Sequence, residues 1–219
     1  MDTKGKAAFL AYTMPFAAWM GLMFMLPPTA LSYAVRSAVT LAVGAACLAL
    51  CRRQAVQSAM EGAAPGRCFA YAAGIVAGAL VCALWILLPA WPFPEPAAPD
   101  PSPYSPAVCG WPLTIAKLAG SAFVIAPVEE FFFRSFLYRW LISRDFLSVP
   151  LSRFDLSAFL WTILIFSLEH DRPIAAAITG AVYGLLAVRL GIGSSIAAHV
   201  TTNLLLGLHV IFRSAWQFW

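Results

Sequence analysis

Three short stretches of this 219-residue chain set proton-carrying side chains inside otherwise apolar sequence. The first is APVEEFFFRSF, with Glu129, Glu130 and Arg134. Neighbouring residues on a helix point about 100° apart, so the two carboxylates cannot share one partner symmetrically. Glu130 and Arg134 are four apart, lie on one face and can form an ion pair. Glu129 is then left on another face, and a carboxylate held partly out of water suits a general base. Pro127, just ahead of the pair, is a site for a kink that would open backbone carbonyls to water. The second stretch is FSLEH, with Phe166 and His170 four apart; Glu169 and Asp171 beside them read as a solvated helix end. The third is HVTTN, which puts His199 and Asn203 on one face a turn apart. An imidazole and a carboxamide so aligned could both donate to one oxygen, as an oxyanion hole requires. The same pair could instead serve as hydrogen bonding between spans. His209 lies ten residues beyond His199, well round the helix, and is set aside.

In combination the residues describe acyl transfer to water without a covalent intermediate. Glu129 would hold and deprotonate a water, His170 would orient it or share the proton, and His199 with Asn203 would stabilise the tetrahedral oxyanion. A Gly-x-Ser-x-Gly elbow, an intramembrane Ser/Lys pair and a pair of membrane aspartates are all absent from the sequence. Glu129, His170 and His199 also match a catalytic zinc ligand set. The HExxH pattern is missing, however, and the three come from distant segments. The metal-free site is therefore preferred, with no cofactor expected and zinc as the alternative.

These residues have to be positioned by elements suited to a lipid solvent. The chain is 61% hydrophobic and 11% charged, where soluble domains run at roughly 25% charged. A spanning helix needs about 20 mostly apolar residues, and seven apolar segments are legible: 7–26, 30–51, 68–89, 112–142, 156–168, 174–190 and 194–212. The fourth is long enough to leave the membrane and the fifth is short. The expected fold is an all-α, polytopic transmembrane helical bundle of about seven spans, within six to eight. It forms one membrane domain over 1–219, with three spans and a proline-rich loop in 1–111 and the motif-bearing core in 112–219. The loop, 89–112, is too rich in proline for a helix and is expected to be extended and exposed. Residues 143–155 are expected to be an interfacial segment. The five cysteines, with no CxxC pair, read as small buried apolar side chains. The first segment reads as an uncleaved span.

The net charge of +4 is scattered over loop ends and forms no nucleic-acid-binding stripe. With the N-terminus inside, the inner side receives Lys4, Lys6, Arg52, Arg53, Arg67, Arg139, Arg144, Arg153 and Arg189. The outer side receives only Lys117, Arg172 and Arg213, with Arg36 near the start of the second span. The positive-inside rule then predicts a multi-pass protein of the cell membrane with a cytoplasmic N-terminus.

EEFFFR fits the pattern EExxxR, FSLEH fits FxxxH and HVTTN fits HxxxN, in that order. On these motifs the C-terminal half resembles the CAAX-processing and bacteriocin-processing (CPBP, or Abi) membrane proteases, which include the type II CAAX prenyl endopeptidases. The resemblance spans roughly residues 113–212; the first three spans match only in being hydrophobic. It implies an all-helical membrane fold enclosing a glutamate-dependent endopeptidase site. Glu129 and His170 would activate water and His199 and Asn203 would contact the oxyanion. Glu130 and Arg134 would act as supports, with Phe166 as the first residue of its motif. The implied partners are the lipid bilayer and a membrane-associated peptide or protein substrate. Two other classes remain open: a proton-coupled transporter, which would call for pseudo-symmetric halves, and a non-catalytic adaptor or immunity protein. Counting rise per residue from the inner side puts His199 about 9 Å deep and His170 about 20 Å deep. The motif helices must therefore tilt or break if the two are to approach Glu129.

Overall fold

The computed structural model describes residues 3–50, 66–95, 97 and 101–219, and the apolar segments among them become helices. They are α1 (Thr3–Met25), α2 (Ala30–Leu50), α3 (Arg67–Leu87), α4 (Pro106–Ile142), α5 (Leu156–Leu168), α6 (Pro173–Leu190) and α7 (Ile192–Arg213). No strand occurs among the described residues. The all-α polytopic bundle expected from composition is the fold observed. Of the basic residues used for orientation, Arg52 and Arg53 lie outside the described residues.

Among the described residues six helices are long and apolar enough to cross a membrane; α5, at 13 residues, is not. It nevertheless joins the two ends of the bundle. At its start, the Tyr138 hydroxyl near the end of α4 donates to the Arg153 carbonyl (2.7 Å) and accepts from the Asp155 N–H (2.9 Å). Beyond its end, the Arg172 guanidinium donates to the Leu88 carbonyl just past α3 (2.6 Å). The fifth apolar segment is thus a short helix with irregular flanks. Its first turn is capped by the Asp155 carboxylate, which accepts from the Ala158 N–H.

Helix directions follow from the close contacts. A Cβ on Gly74 or Gly78 of α3 would lie 2.3 Å from the carbonyl oxygen of Ser194 or Ala198 of α7, so these two helices run parallel at backbone contact. Small residues permit such approach where lipid supplies no hydrophobic drive between helices. Gly191 ends α6 and starts α7 at φ 89°, a turn of one residue that a side chain would strain. The aromatic run of α4 meets α1 ring by ring: Phe16 stacks on Phe132 at 4.1 Å, Phe9 meets Phe136 edge-on at 5.2 Å, and Tyr12 lies by Phe131.

Two expectations are corrected. First, α4 begins at Pro106 inside the proline-rich segment, because a proline in the first turn gives up an N–H that has no helical partner anyway. It breaks at Gly110, with φ 77° and ψ 156°. Ser102 and Ser105 of that segment are buried, not exposed. Residues 143–155, expected as an interfacial segment, bury Phe146, Val149 and Leu151 and leave Arg144, Asp145, Arg153 and Phe154 exposed. Buried Arg139 draws this segment in by donating to the carbonyls of Val149 (2.7 Å) and Leu147 (3.2 Å). Second, Cys68 is exposed, while Cys82 is buried and Cys47 and Cys109 are partly so; Cys51 lies outside the described residues.

Along α4, Ser121–Ile125 and Phe131–Leu137 are π-helical. Such widened turns shift the register of side chains and are frequent at functional sites. They bracket the Glu129–Glu130 pair.

Candidate active site

Glu130 is fully buried, and its carboxylate is saturated by partners from two helices. Oε1 is 3.1 Å from Arg134 Nη1 and accepts from His199 Nδ1 at 2.9 Å. Oε2 accepts from the Ser195 hydroxyl. Arg134 is sandwiched in turn, its guanidinium 4.4 Å from the Phe166 ring and 5.7 Å from the Tyr183 ring. The pair expected from the spacing of four is therefore present, with two partners the spacing did not supply.

Glu129 points elsewhere. Its side chain keeps 15% of its surface accessible, and Oε2 lies 3.7 Å from Nε2 of His199. His199 thus stands between the two glutamates, one ring nitrogen on each. Its Nδ1–H is committed to Glu130, which fixes the ring and leaves Nε2 facing Glu129.

Asn203, one turn along α7, donates from Nδ2 to the Ser121 carbonyl at 2.9 Å. That carbonyl belongs to the first π-helical turn of α4. The carboxamide is therefore anchored to α4 on the same side as His199, with a second N–H remaining.

His170 sits in the turn between α5 and α6. Its Nδ1 is 2.8 Å from the Phe166 carbonyl, so Nδ1 carries the proton and Nε2 keeps its lone pair. The Phe166 ring lies between the imidazoles, 4.6 Å from His170 and 6.3 Å from His199. Trp85 closes the other side of His170 at 5.6 Å. No hydrogen bond or ion pair among the described residues links His170 to Glu129. Burial pulls the His170 imidazole down to about 4; the Phe166 carbonyl opposes this, and the charges of His199 and Arg134 add to it. It is neutral at pH 7.

Four residues that complete the site did not figure in the motifs. Ser195 could have been found, because Ser195, His199 and Asn203 form one stripe at successive spacings of four. Tyr183 could not; its ring backs His199 at 5.0 Å, and its hydroxyl donates to Thr202, which donates to the Gly78 carbonyl. Arg172 and Glu95 form an ion pair that joins the loop after α3 to the turn carrying His170.

A zinc site would need Glu129, His170 and His199 to converge. Among the described residues no group of three His, Cys, Asp or Glu side chains comes together in that way.

Residues 111–205 match the family described as type II CAAX prenyl endopeptidase Rce1-like. The match includes all three motifs and supports the resemblance read from them. No curated protein and no solved structure matches the chain.

Proposed function

We propose that this chain is an intramembrane endopeptidase in which Glu129 activates a water for attack on a peptide carbonyl. The observation that carries the proposal is the division of labour between adjacent carboxylates: Glu130 is consumed by Arg134, His199 and Ser195, while Glu129 faces His199 Nε2 without a cation of its own. The family match over the same helices supports a protease of CAAX type.

In this reading the water sits against the Glu129 carboxylate, with the lone pair of His170 Nε2 available to hold its second hydrogen. Glu129 takes one proton as the water oxygen bonds to the carbonyl carbon. The oxyanion is met by Asn203 Nδ2–H and by His199 Nε2, which donates when the ring is protonated; the Glu130 carboxylate steadies that cation. Collapse breaks the C–N bond, Glu129 returns its proton to the leaving nitrogen, and the products are a carboxylate and an amine. No step is routed through a metal. The substrate is a peptide segment at or within the bilayer. The start of α1 lies on the cytoplasmic side of the cell membrane, as the basic residues indicate.

Peptide cleavage by detergent-purified protein tests this. Replacing a general base costs about 10²–10⁴ in rate, so Glu129→Gln and His170→Ala are expected to lose turnover while remaining folded. Turnover surviving in Glu129→Gln would remove that residue from the base role. Activity abolished by chelator and restored by zinc would replace the metal-free chemistry.

A further inference from the structure

α2 carries an arrangement that proteolysis does not use. The Arg36 guanidinium lies 4.1 Å from the Trp19 ring of α1 and 4.8 Å from the Tyr33 ring. Lys117 of α4 reaches the same Tyr33 ring at 3.8 Å and Tyr104 at 4.9 Å. Neither cation has a carboxylate partner among the described residues. Arg36 Nε is buried without a hydrogen-bond partner. One turn along α2, the fully buried Thr40 hydroxyl also lacks one. Cations inside a spanning segment are costly and call for a counter-charge.

Next to this cluster lies a cavity of about 250 Å³ between α1, α2 and α4. Its walls include Pro15, Thr40, Gly44, Val124, Pro127 and Val128. Arg36, Thr40 and Gly44 follow one another at spacings of four, so the cationic end, the lone hydroxyl and the apolar hollow lie along one stripe of α2. Trp19 stands a turn beyond Pro15 on α1, so both walls rise to the same cationic level.

We propose that this is a binding site for an anionic glycerophospholipid of the surrounding bilayer. Its phosphate sits between Arg36 and Lys117, its ester carbonyl accepts from the Thr40 hydroxyl, and one acyl chain fills the cavity. Charge complementarity sets the head: two cations face no acid. The lining sets the tail, because a peptide backbone in this hollow would leave its N–H and C=O groups unsatisfied, whereas methylene groups need no partner. The volume, below the ~300–1,000 Å³ of drug-sized pockets, suits a single chain. Leu41 and Leu48, which also line the cavity, are exposed on the outer surface of the bundle, so the occupant enters from the membrane. The site makes no use of Glu129 chemistry, so it is tested in protein that cannot turn over.

Glu129→Gln protein in non-ionic detergent is mixed with phosphatidylglycerol, phosphatidylcholine or inorganic phosphate, and retention is read by native mass spectrometry. One phosphatidylglycerol per chain is expected, with phosphatidylcholine held about ten-fold more weakly and phosphate not retained. Adding Arg36→Gln with Lys117→Gln should weaken phosphatidylglycerol about thirty-fold. Gly44→Leu, where an added Cβ meets nothing within 4 Å, fills the hollow and should abolish retention of both lipids with the cations intact. Thermal unfolding verifies that each variant folds; Arg36→Lys, which should keep the preference, replaces a charge variant that does not. Equal retention of the two lipids, or retention indifferent to Gly44→Leu, overturns the proposal. Displacement of the lipid by a free-acid peptide also overturns it, making the site a substrate subsite.

Discussion

Glu129 and Glu130 are chemically identical neighbours that their surroundings make different. Glu130 is enclosed with Arg134, His199 and Ser195, and a buried charge stripped of one partner typically costs about 3–5 kcal/mol. Arg134→Met is therefore expected to lower stability by that order in detergent unfolding. Ser195→Ala, which leaves a carboxylate oxygen short of one donor, should cost about 1–3 kcal/mol. Glu129→Gln should leave the unfolding midpoint nearly unchanged, so stability and turnover separate the two glutamates. At His170 the sign of the pH effect follows from burial, which lowers the folded imidazole to about 4 from an ordinary value near 6.5. The group favours the folded state fully above the unfolded value, and that contribution is lost as pH falls through 6.5 toward 4. NMR of the ring should show it neutral at pH 6, and His170→Ala should flatten the acid-side loss of stability. Residue types and spacings were enough to read the Glu130–Arg134 pair and the His199–Asn203 face. They could not supply Tyr183 or the Arg172–Glu95 pair, because both act across helices far apart in the chain.

Helices were legible as apolar runs, since lipid demands length and greasiness of every span. Their irregularities were not. The π-helical turns of α4 have no composition of their own; they arise from what α4 packs against, with Asn203 taking the Ser121 carbonyl on one side and the aromatic side chains of α1 meeting Phe131–Phe136 on the other. The apolar side chains of residues 143–155 follow no helical period, and the hydrogen bonds of Arg139 and Tyr138 are what fix their path. Backbone contact between α3 and α7 gives a direct test at this scale. A methyl group at Gly78 would lie 2.3 Å from the Ala198 carbonyl, so Gly78→Ala should cost about 1–3 kcal/mol in detergent unfolding. Gly21→Ala, where nothing lies within 4 Å, should cost nothing. Equal effects at the two sites would mean that the helices are not in contact.

For the whole chain, the charge asymmetry of the sequence predicts a cytoplasmic N-terminus. Impermeant maleimide applied from outside intact cells should label Pro101→Cys, in the loop between α3 and α4, in a Cys68→Ser background. It should leave Cys68, at the start of α3, unlabelled until the membrane is opened. The reverse pattern would invert the orientation. A final consequence concerns how anything reaches Glu129. With carbonyls of α7 seated against the bare backbone of Gly74 and Gly78, the α3–α7 seam has no slack and cannot part without exposing main chain to lipid. Under the proposed peptidase reading, an extended peptide would be admitted along another seam. The glycine seam is thus a fixed hinge-post of the bundle, and whatever yields to a substrate has to be sought away from it.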